Sequence, residues 1–326
     1  MKILFTLALI LLLLPACIRI DVAPGMRRGE LKQEMVIPPT GWFTLNKVAI
    51  ITLSGEITGD ERPKLLSMGQ SSSVLWIKDQ LKKAEADRAV RAVVLRIDSP
   101  GGDVTASDII YREIKMFKER RKIPVLASIM DMGASGGYYV ALSADRIYAH
   151  PTSVTGSIGV MARIPEIDKM GQKIGVEMRV IKSGEHKDLG SIWRAFAPGE
   201  QDILQNLIQQ MYERFVGIVA ENRPGLDVNA VRALADGRVY TAQQAKANGL
   251  IDDVKYLDQV IDLAKAQAGM KDAAVVMYKR PNSYRGNIYA QSDSPEAKTS
   301  MTGDLFGLGS MVQEFKEPAI QYMWKP

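Results

Sequence analysis

Two rhythms of apolar residues alternate along most of this chain. Residues 47–53 form an aliphatic, β-branched run closed by Ser54-Gly55, whereas Val74, Ile77, Leu81 and Ala84 recur at helical spacing. The pattern predicts a strand, a long loop and a helix. Residues 91–97 predict a second strand, 104–117 a helix, 125–130 a strand and 135–143 a helix of small residues. Strands alternating with helices in this way build a largely parallel sheet in an α/β fold. Further on, residues 158–161 and 177–181 read as strands flanking a helix around 165–174. Leu204, Leu207, Ile208, Met211, Phe215 and Val219 mark one apolar face of a long helix, expected to pack against the sheet. Shorter elements follow at 231–234, 238–240 and 242–247. The folded domain is expected over residues 47–268, with a linker at 17–46 and a tail at 269–326 in which the regular pattern weakens. Residues 282–303 are rich in Ser, Asp, Asn and Pro and read as exposed chain. Phe306, Leu308, Met311, Phe315, Tyr322, Met323 and Trp324 then restore apolar character, which suggests that the extreme C-terminus docks somewhere.

Composition sets the scale. With 326 residues, 46% of them hydrophobic, the chain can bury a substantial core. Its formal charge is +5, but basic and acidic residues are interleaved, and no basic stripe with interspersed aromatics points to a nucleic acid. The densest basic cluster, Lys118, Arg120, Arg121 and Lys122, reads as the solvated end of a helix. At the N-terminus, Lys2 precedes an apolar stretch over residues 3–14, interrupted only by Thr6. A spanning helix needs roughly 20 apolar residues, so the stretch has the layout of an export signal instead. Cys17 is the only cysteine, which rules out an intramolecular disulfide. Residues 14–17, Leu-Pro-Ala-Cys, resemble a bacterial lipobox. Residues 1–16 are therefore expected to be a lipoprotein-type signal peptide, with Cys17 the lipid-bearing first residue of the mature chain. That places the protein in a bacterial cell envelope, membrane-anchored and outside the cytoplasm. An uncleaved signal anchor and an ordinary secreted protein are the alternatives.

Three small-residue loops each follow a predicted strand and together supply what acyl transfer requires. In Asp98-Ser99-Pro100-Gly101-Gly102, paired glycines let backbone N–H groups approach a ligand closely, although Pro-Gly-Gly is also ordinary turn chemistry. In the second loop, Ser135 stands at a strand-to-helix junction, a place that suits either a nucleophile or a helix cap. Serine needs a base to take its proton. His150, which precedes Pro151, and His186, in a Gly-containing loop, are the only histidines available for a Ser-His-Asp arrangement, which stays open as the alternative. The third loop, Lys182-Ser183-Gly184-Glu185-His186-Lys187-Asp188, offers Lys187 instead. A lysine of ordinary pKa, near 10.4, is neutral in only about one molecule in 2,500 at about pH 7. Bringing such an amine to near neutrality takes roughly 4 kcal/mol, which an apolar shelter can supply. This reading therefore expects Lys187 to be buried. Ser157, in Thr155-Gly156-Ser157-Ile158-Gly159, offers a hydroxyl that can hold a neutral amine in place, or is an ordinary turn serine.

Taken together, Asp98-Ser-Pro-Gly-Gly102, Ser135-Gly-Gly-Tyr-Tyr139, Thr155-Gly-Ser-Ile-Gly159 and Ser183-Gly-Glu-His-Lys-Asp188 resemble the ordered motifs of the signal peptide peptidase A family of serine proteases. Gly237-Arg-Val-Tyr-Thr241 and Gly249-Leu-Ile-Asp252 add to the likeness, which runs from about residue 47 to 268. The resemblance implies a Clp/crotonase-type fold of repeated ββα units and a homo-oligomeric ring or dome. It further implies cleavage of membrane-released signal peptides and similar apolar peptides with small residues near the scissile bond. By motif position Ser135 is the expected nucleophile, Lys187 the general base and Ser157 the lysine-orienting hydroxyl. Gly102 and Gly136 are the expected oxyanion-hole donors. One copy of each motif matches the short form of the family. No metal or other cofactor is required by this chemistry. Acyl-CoA chemistry on the same general fold and a catalytically idle membrane scaffold remain the rival readings.

Overall fold

The computed structural model describes residues 30–41, 44–59, 72–280, 288 and 319–323. Its centre is a parallel run of strands. β1 (Lys32–Ile37) is an edge strand. β2 (Lys47–Ser54) leads through α1 (Ser73–Ala86) to β3 (Val90–Ser99). The short β4 (Gly101–Asp103) and α2 (Val104–Arg121) then lead to β5 (Val125–Ala134), and α3 (Gly136–Ala141) leads to β6 (Arg146–Ala149). Next come β7 (Val154–Gly156), β8 (Met161–Arg163), α4 (Asp168–Lys173) and α5 (Glu200–Asn222). They are followed by α6 (Val228–Leu234), β9 (Val239–Thr241), α7 (Ala242–Ala247), β10 (Asp253–Val254), α8 (Leu257–Gln267), β11 (Ala274–Lys279) and β12 (Ala319–Met323). The main sheet has the order β1-β11-β2-β3-β5-β6-β10. All its pairings from β11 to β10 are parallel, and β1 joins antiparallel at the edge.

Side-chain alternation decides which layer covers which face. Val48, Ile50, Ala92, Val94, Leu126, Val275 and Met277 point to one side, where Leu257, Val260, Ile261 and Ala264 of α8 meet them. Ala49, Ile51, Leu53, Val93, Leu95, Ile97, Ala127 and Ile129 point to the other, under α1, α2 and α3. Both faces of the central strands are dry, which is why those strands read as unbroken apolar runs. Ile50 is fully buried at the heart of this sandwich. Ile50→Ala is expected to lower stability by about 2–5 kcal/mol, read as a fall in the urea midpoint.

The mixed α/β fold with a parallel-rich sheet agrees with the apolar pattern, and several local expectations change. The sheet reaches outside residues 47–268: β1 lies in the expected linker and β11 in the expected tail, where it pairs directly with β2. Residues 177–181 form no strand; Met178, Val180 and Ile181 stand exposed with no neighbouring strand to pair with. The strand expected at 158–161 falls at β8, and Ile158 packs into the core instead. In α5 only the C-terminal half packs as expected, through Phe215, Val216, Ile218 and Val219, while Leu207 is 41% exposed. The basic cluster at the end of α2 is tied down rather than merely solvated. Arg121 donates to the Ala84, Glu85, Asp87 and Val90 carbonyls at the C-terminus of α1 and beyond, and Lys118 pairs with Asp145. Among the described residues no helix is long and apolar enough to cross a membrane. Cys17, the expected export signal and residues 289–318 lie outside the described residues.

Candidate active site

Open parallel sheets leave a crevice at the carboxyl ends of their strands. Here β3 and β5 deliver the first two small-residue loops to that edge. Ser99 donates from Oγ to the Gly55 carbonyl at 2.7 Å and accepts the Gly101 N–H at 3.2 Å, pinning the Pro100-Gly101 turn from inside. Gly101 has φ +101, a region L-residues avoid, and any Cβ there would stand 2.0 Å from the Tyr322 carbonyl oxygen and 2.7 Å from the Gly136 nitrogen. A Cβ on Gly136 would come within 2.5 Å of Ser107 Oγ and 3.3 Å of the Gly102 nitrogen. The backbones of the two glycine loops and the Tyr322 carbonyl therefore meet at one point.

Ser135 makes the sharp turn from β5 into α3, with φ 52 and ψ −115. Holding a non-glycine residue there costs roughly 1–3 kcal/mol, and strand-to-helix elbows of this kind present a serine at the end of a sheet. Its N–H donates to the Gly156 carbonyl at 2.8 Å, its own carbonyl accepts the Tyr139 N–H at 2.8 Å, and the residue is 1% exposed. β7 runs parallel to the end of β5 with Ala134 opposite Gly156. Ser135 and Ser157 are thus the next residues on two neighbouring strands. Ser157 also has a positive φ, 49, is nearly buried, and donates its N–H to the Arg238 carbonyl at 2.8 Å. It opens onto a cavity of about 400 Å³ whose walls include Met161, Ile208, Tyr212, Asp236 and Met323.

A second, three-stranded sheet crosses this edge. β12 lies antiparallel between β4 and β8, with Tyr322 opposite Gly102 and Gln321 opposite both Asp103 and Met161. The expectation that the C-terminus docks is met by this strand. Tyr322 is fully buried. Its ring stacks on Tyr139 at 5.3 Å, tilts against Phe215 at 4.8 Å, and its hydroxyl donates to the Met211 carbonyl at 3.0 Å. Tyr139 is itself fixed, donating from its hydroxyl to Asp108 at 2.6 Å, with Arg214 on the same carboxylate oxygen. Burial and that carboxylate both push the Tyr139 phenol up, so it remains a donor. Burial also raises the Asp98 carboxyl, whose Oδ1 accepts the Met132 N–H at 3.2 Å and ties the first glycine loop to β5.

Gly102, Gly136, Ser135 and Ser157 are brought together; Lys187 is not. It sits exposed on the segment between α4 and α5 and shares no hydrogen bond with Ser135 or Ser157 among the described residues. Its burial, expected from the chemistry, does not occur within one chain, because the segment that carries it lies open on the surface. The histidines offer no base to Ser135 either. His150 engages Thr152 at 2.9 Å and the edge of Tyr256, and His186 faces Glu200 at 3.9 Å. Sequence reasoning set the β8 strand a few residues early and missed the slot it forms with β4 and the pocket of Tyr139 and Phe215. The Tyr138-Tyr139 pair was the one available signal for that pocket. No cluster of side chains suited to a metal ion occurs among the described residues.

The profile of peptidase family S49 matches residues 118–271. An Enterococcus faecium protein named as a signal peptide peptidase SppA is 34% identical over 78% of this chain and 74% of its own length. A Synechocystis protein described as a protease is 39% identical over 72% of this chain and 79% of its own length. Protease 4 of Salmonella typhi is 30% identical over 84% of this chain and 46% of its own length. With its strained serine at a glycine-lined crevice and relatives that match across most of their length, the chain belongs to the signal peptide peptidase A family of serine peptidases, peptidase family S49.

Proposed function

We propose that this family member is an endopeptidase that cuts extended apolar peptides, signal-peptide remnants among them, through an acyl-enzyme on Ser135 with Lys187 as general base. The observation that carries the reading is the docked strand. A stretch of the chain itself lies extended between β4 and β8, with one carbonyl against Gly101 and Gly136 beside Ser135. A slot that accepts one peptide backbone by strand pairing accepts another. In the proposed reaction the Ser135 hydroxyl gives its proton to the Lys187 amine as its oxygen attacks the substrate carbonyl. The Gly102 and Gly136 N–H groups receive the oxyanion, and the ammonium returns the proton to the leaving amine. Water, deprotonated by the same amine, then releases the acyl group. Ser157, one strand over, orients the amine.

The exposure of Lys187 supports a homo-oligomer in which a second copy covers it. The same segment exposes Ile174, Met178, Val180 and Ile181, and the first turns of α5 leave Leu207 uncovered, so this part of the chain carries apolar side chains that a second copy could cover. A Clp/crotonase-type architecture arranged as a ring or dome is consistent with that covering. Lipid attachment at Cys17 would hold the assembly on the envelope membrane, with the catalytic domain outside the cytoplasm. A fluorophosphonate probe tests the nucleophile: the wild type is expected to be labelled at Ser135, located by mass spectrometry of the peptide. Absence of labelling in an enzyme that still turns over peptide would remove Ser135 from the mechanism.

A further inference from the structure

The segment that carries Lys187 has little apolar burial to hold it in place. Between α4 and α5 there is neither strand nor helix, and residues 176–187 are exposed throughout. A knot of charges replaces the missing core. Arg194 donates from Nε and one terminal nitrogen to both carboxylate oxygens of Asp188, at 2.9 and 2.8 Å, and that nitrogen also reaches the Asp188 carbonyl at 3.3 Å. The same guanidinium spans both oxygens of Glu200 at 2.7 Å each and donates to the Ala195 carbonyl at 3.0 Å. Lys182 closes the other side, donating to Asp188 Oδ1 and to the Glu185 carbonyl, each at 2.6 Å.

Each end of the knot is anchored differently. Glu200 is the first residue of α5, has a side chain only 1% exposed, and accepts the Ala197 N–H at 2.8 Å. The far half of α5 lies in the core. Asp188 is the residue next to Lys187, and Lys182 and Asp188 bracket the five residues between them into a closed turn, tightened by Lys187 N–H donating to the Gly184 carbonyl at 3.2 Å. The ionisable groups around Lys187 are thus Lys182, Glu185, His186, Asp188, Arg194 and Glu200. The guanidinium holds the Asp188 and Glu200 carboxyls below their ordinary range, Glu200 at about 2, so both stay charged through the working pH of a peptidase.

We propose that Arg194 is a positioning residue for the reaction: bridging Glu200 to Asp188, it transmits the fixed position of α5 to the turn bearing Lys187 and sets where that amine is presented. The inference rests on Lys187 being the general base. A planar fork serving two carboxylates at once cannot be reproduced by a lysine, whose ammonium is a compact point charge. Misplacing a catalytic group by about 1 Å costs up to roughly 10²-fold in rate.

The test is Arg194→Lys in the full-length, assembled enzyme, measured by kcat, KM and the pH profile of peptide hydrolysis. The expected result is a fall in kcat of about tenfold or more, with KM within about twofold. The acid limb of the profile should move to higher pH, because an amine held loosely in water is more readily protonated. A purely structural role would lower thermal stability without moving that limb. Asp188→Asn, which keeps the side chain's shape but discards the charge that Arg194 grips, should likewise lower kcat by about tenfold or more with KM within about twofold, and serves if Arg194→Lys does not assemble. Wild-type kcat and an unmoved acid limb in a folded, assembled variant would overturn the proposal. Lys187→Ala separates the two ideas: if it is inactive while Arg194→Lys behaves as wild type, only the positioning role falls. If Lys187→Ala remains active, the base assignment falls first.

Discussion

Lys187→Ala is expected to lose peptide hydrolysis by about 10⁴-fold or more, as is Ser135→Ala, with the double substitution no worse than either alone. Groups that act as one unit fail together, because a serine hydroxyl without its base is barely nucleophilic and a base without its serine has nothing to activate. Lys187 is exposed in the single chain and makes no ion pair among the described residues, so truncating it should leave circular dichroism and the thermal midpoint close to wild type. That separation makes the result readable. Turnover above about one-tenth of wild type in Lys187→Ala would mean that another group takes the Ser135 proton.

A chain ending after Gly303 is expected to hydrolyse a peptide substrate with kcat/KM raised by about 10². The strand it lacks pairs with β4 and β8, and its Tyr322 ring fills the pocket between Tyr139 and Phe215. Burying a large apolar side chain of that kind contributes about 1.5–3 kcal/mol. At about 1.4 kcal/mol per factor of ten, a competitor held there by the chain itself suppresses entry roughly a hundredfold. The measurement is initial rate against substrate concentration for full-length and shortened protein, with assembly checked by light scattering. Equal kcat/KM and equal mass would show that the docked strand does not compete with substrate.

The sheet was legible because its strands are dry on both faces. Val48, Ile50, Val94 and Leu126 have no polar alternation to blur the pattern, so residues 47–53, 91–97 and 125–130 read correctly. β11 carried the same signal in Ala274–Lys279 but follows the last convincing helix, and an apolar run there was easily assigned to a tail. β1, Lys32–Ile37, is an edge strand with a mostly polar face, and such strands resemble linkers. The errors at 177–181 and in the first half of α5 share a cause. Their apolar spacing is real, but burial requires a covering surface, and no single-chain element supplies one. At the site, Ser135 and the glycines stood out through their spacing. The adjacency of Ser135 and Ser157 was hidden, since β7 is three residues long and its register appears only on folding.

That register has a consequence for how the candidate site tolerates change. The offset between the two serines is set by a hydrogen-bonded ladder, Ala134 opposite Gly156, rather than by the length of the intervening chain. Insertions between α3 and β7 could be absorbed outside that ladder, at β6 or its flanking turns, without disturbing the pair. One residue added within β5 or β7 would rotate a hydroxyl to the opposite side of the sheet. Drift in this lineage should therefore accumulate in connections and stop abruptly at the ladder's last rung.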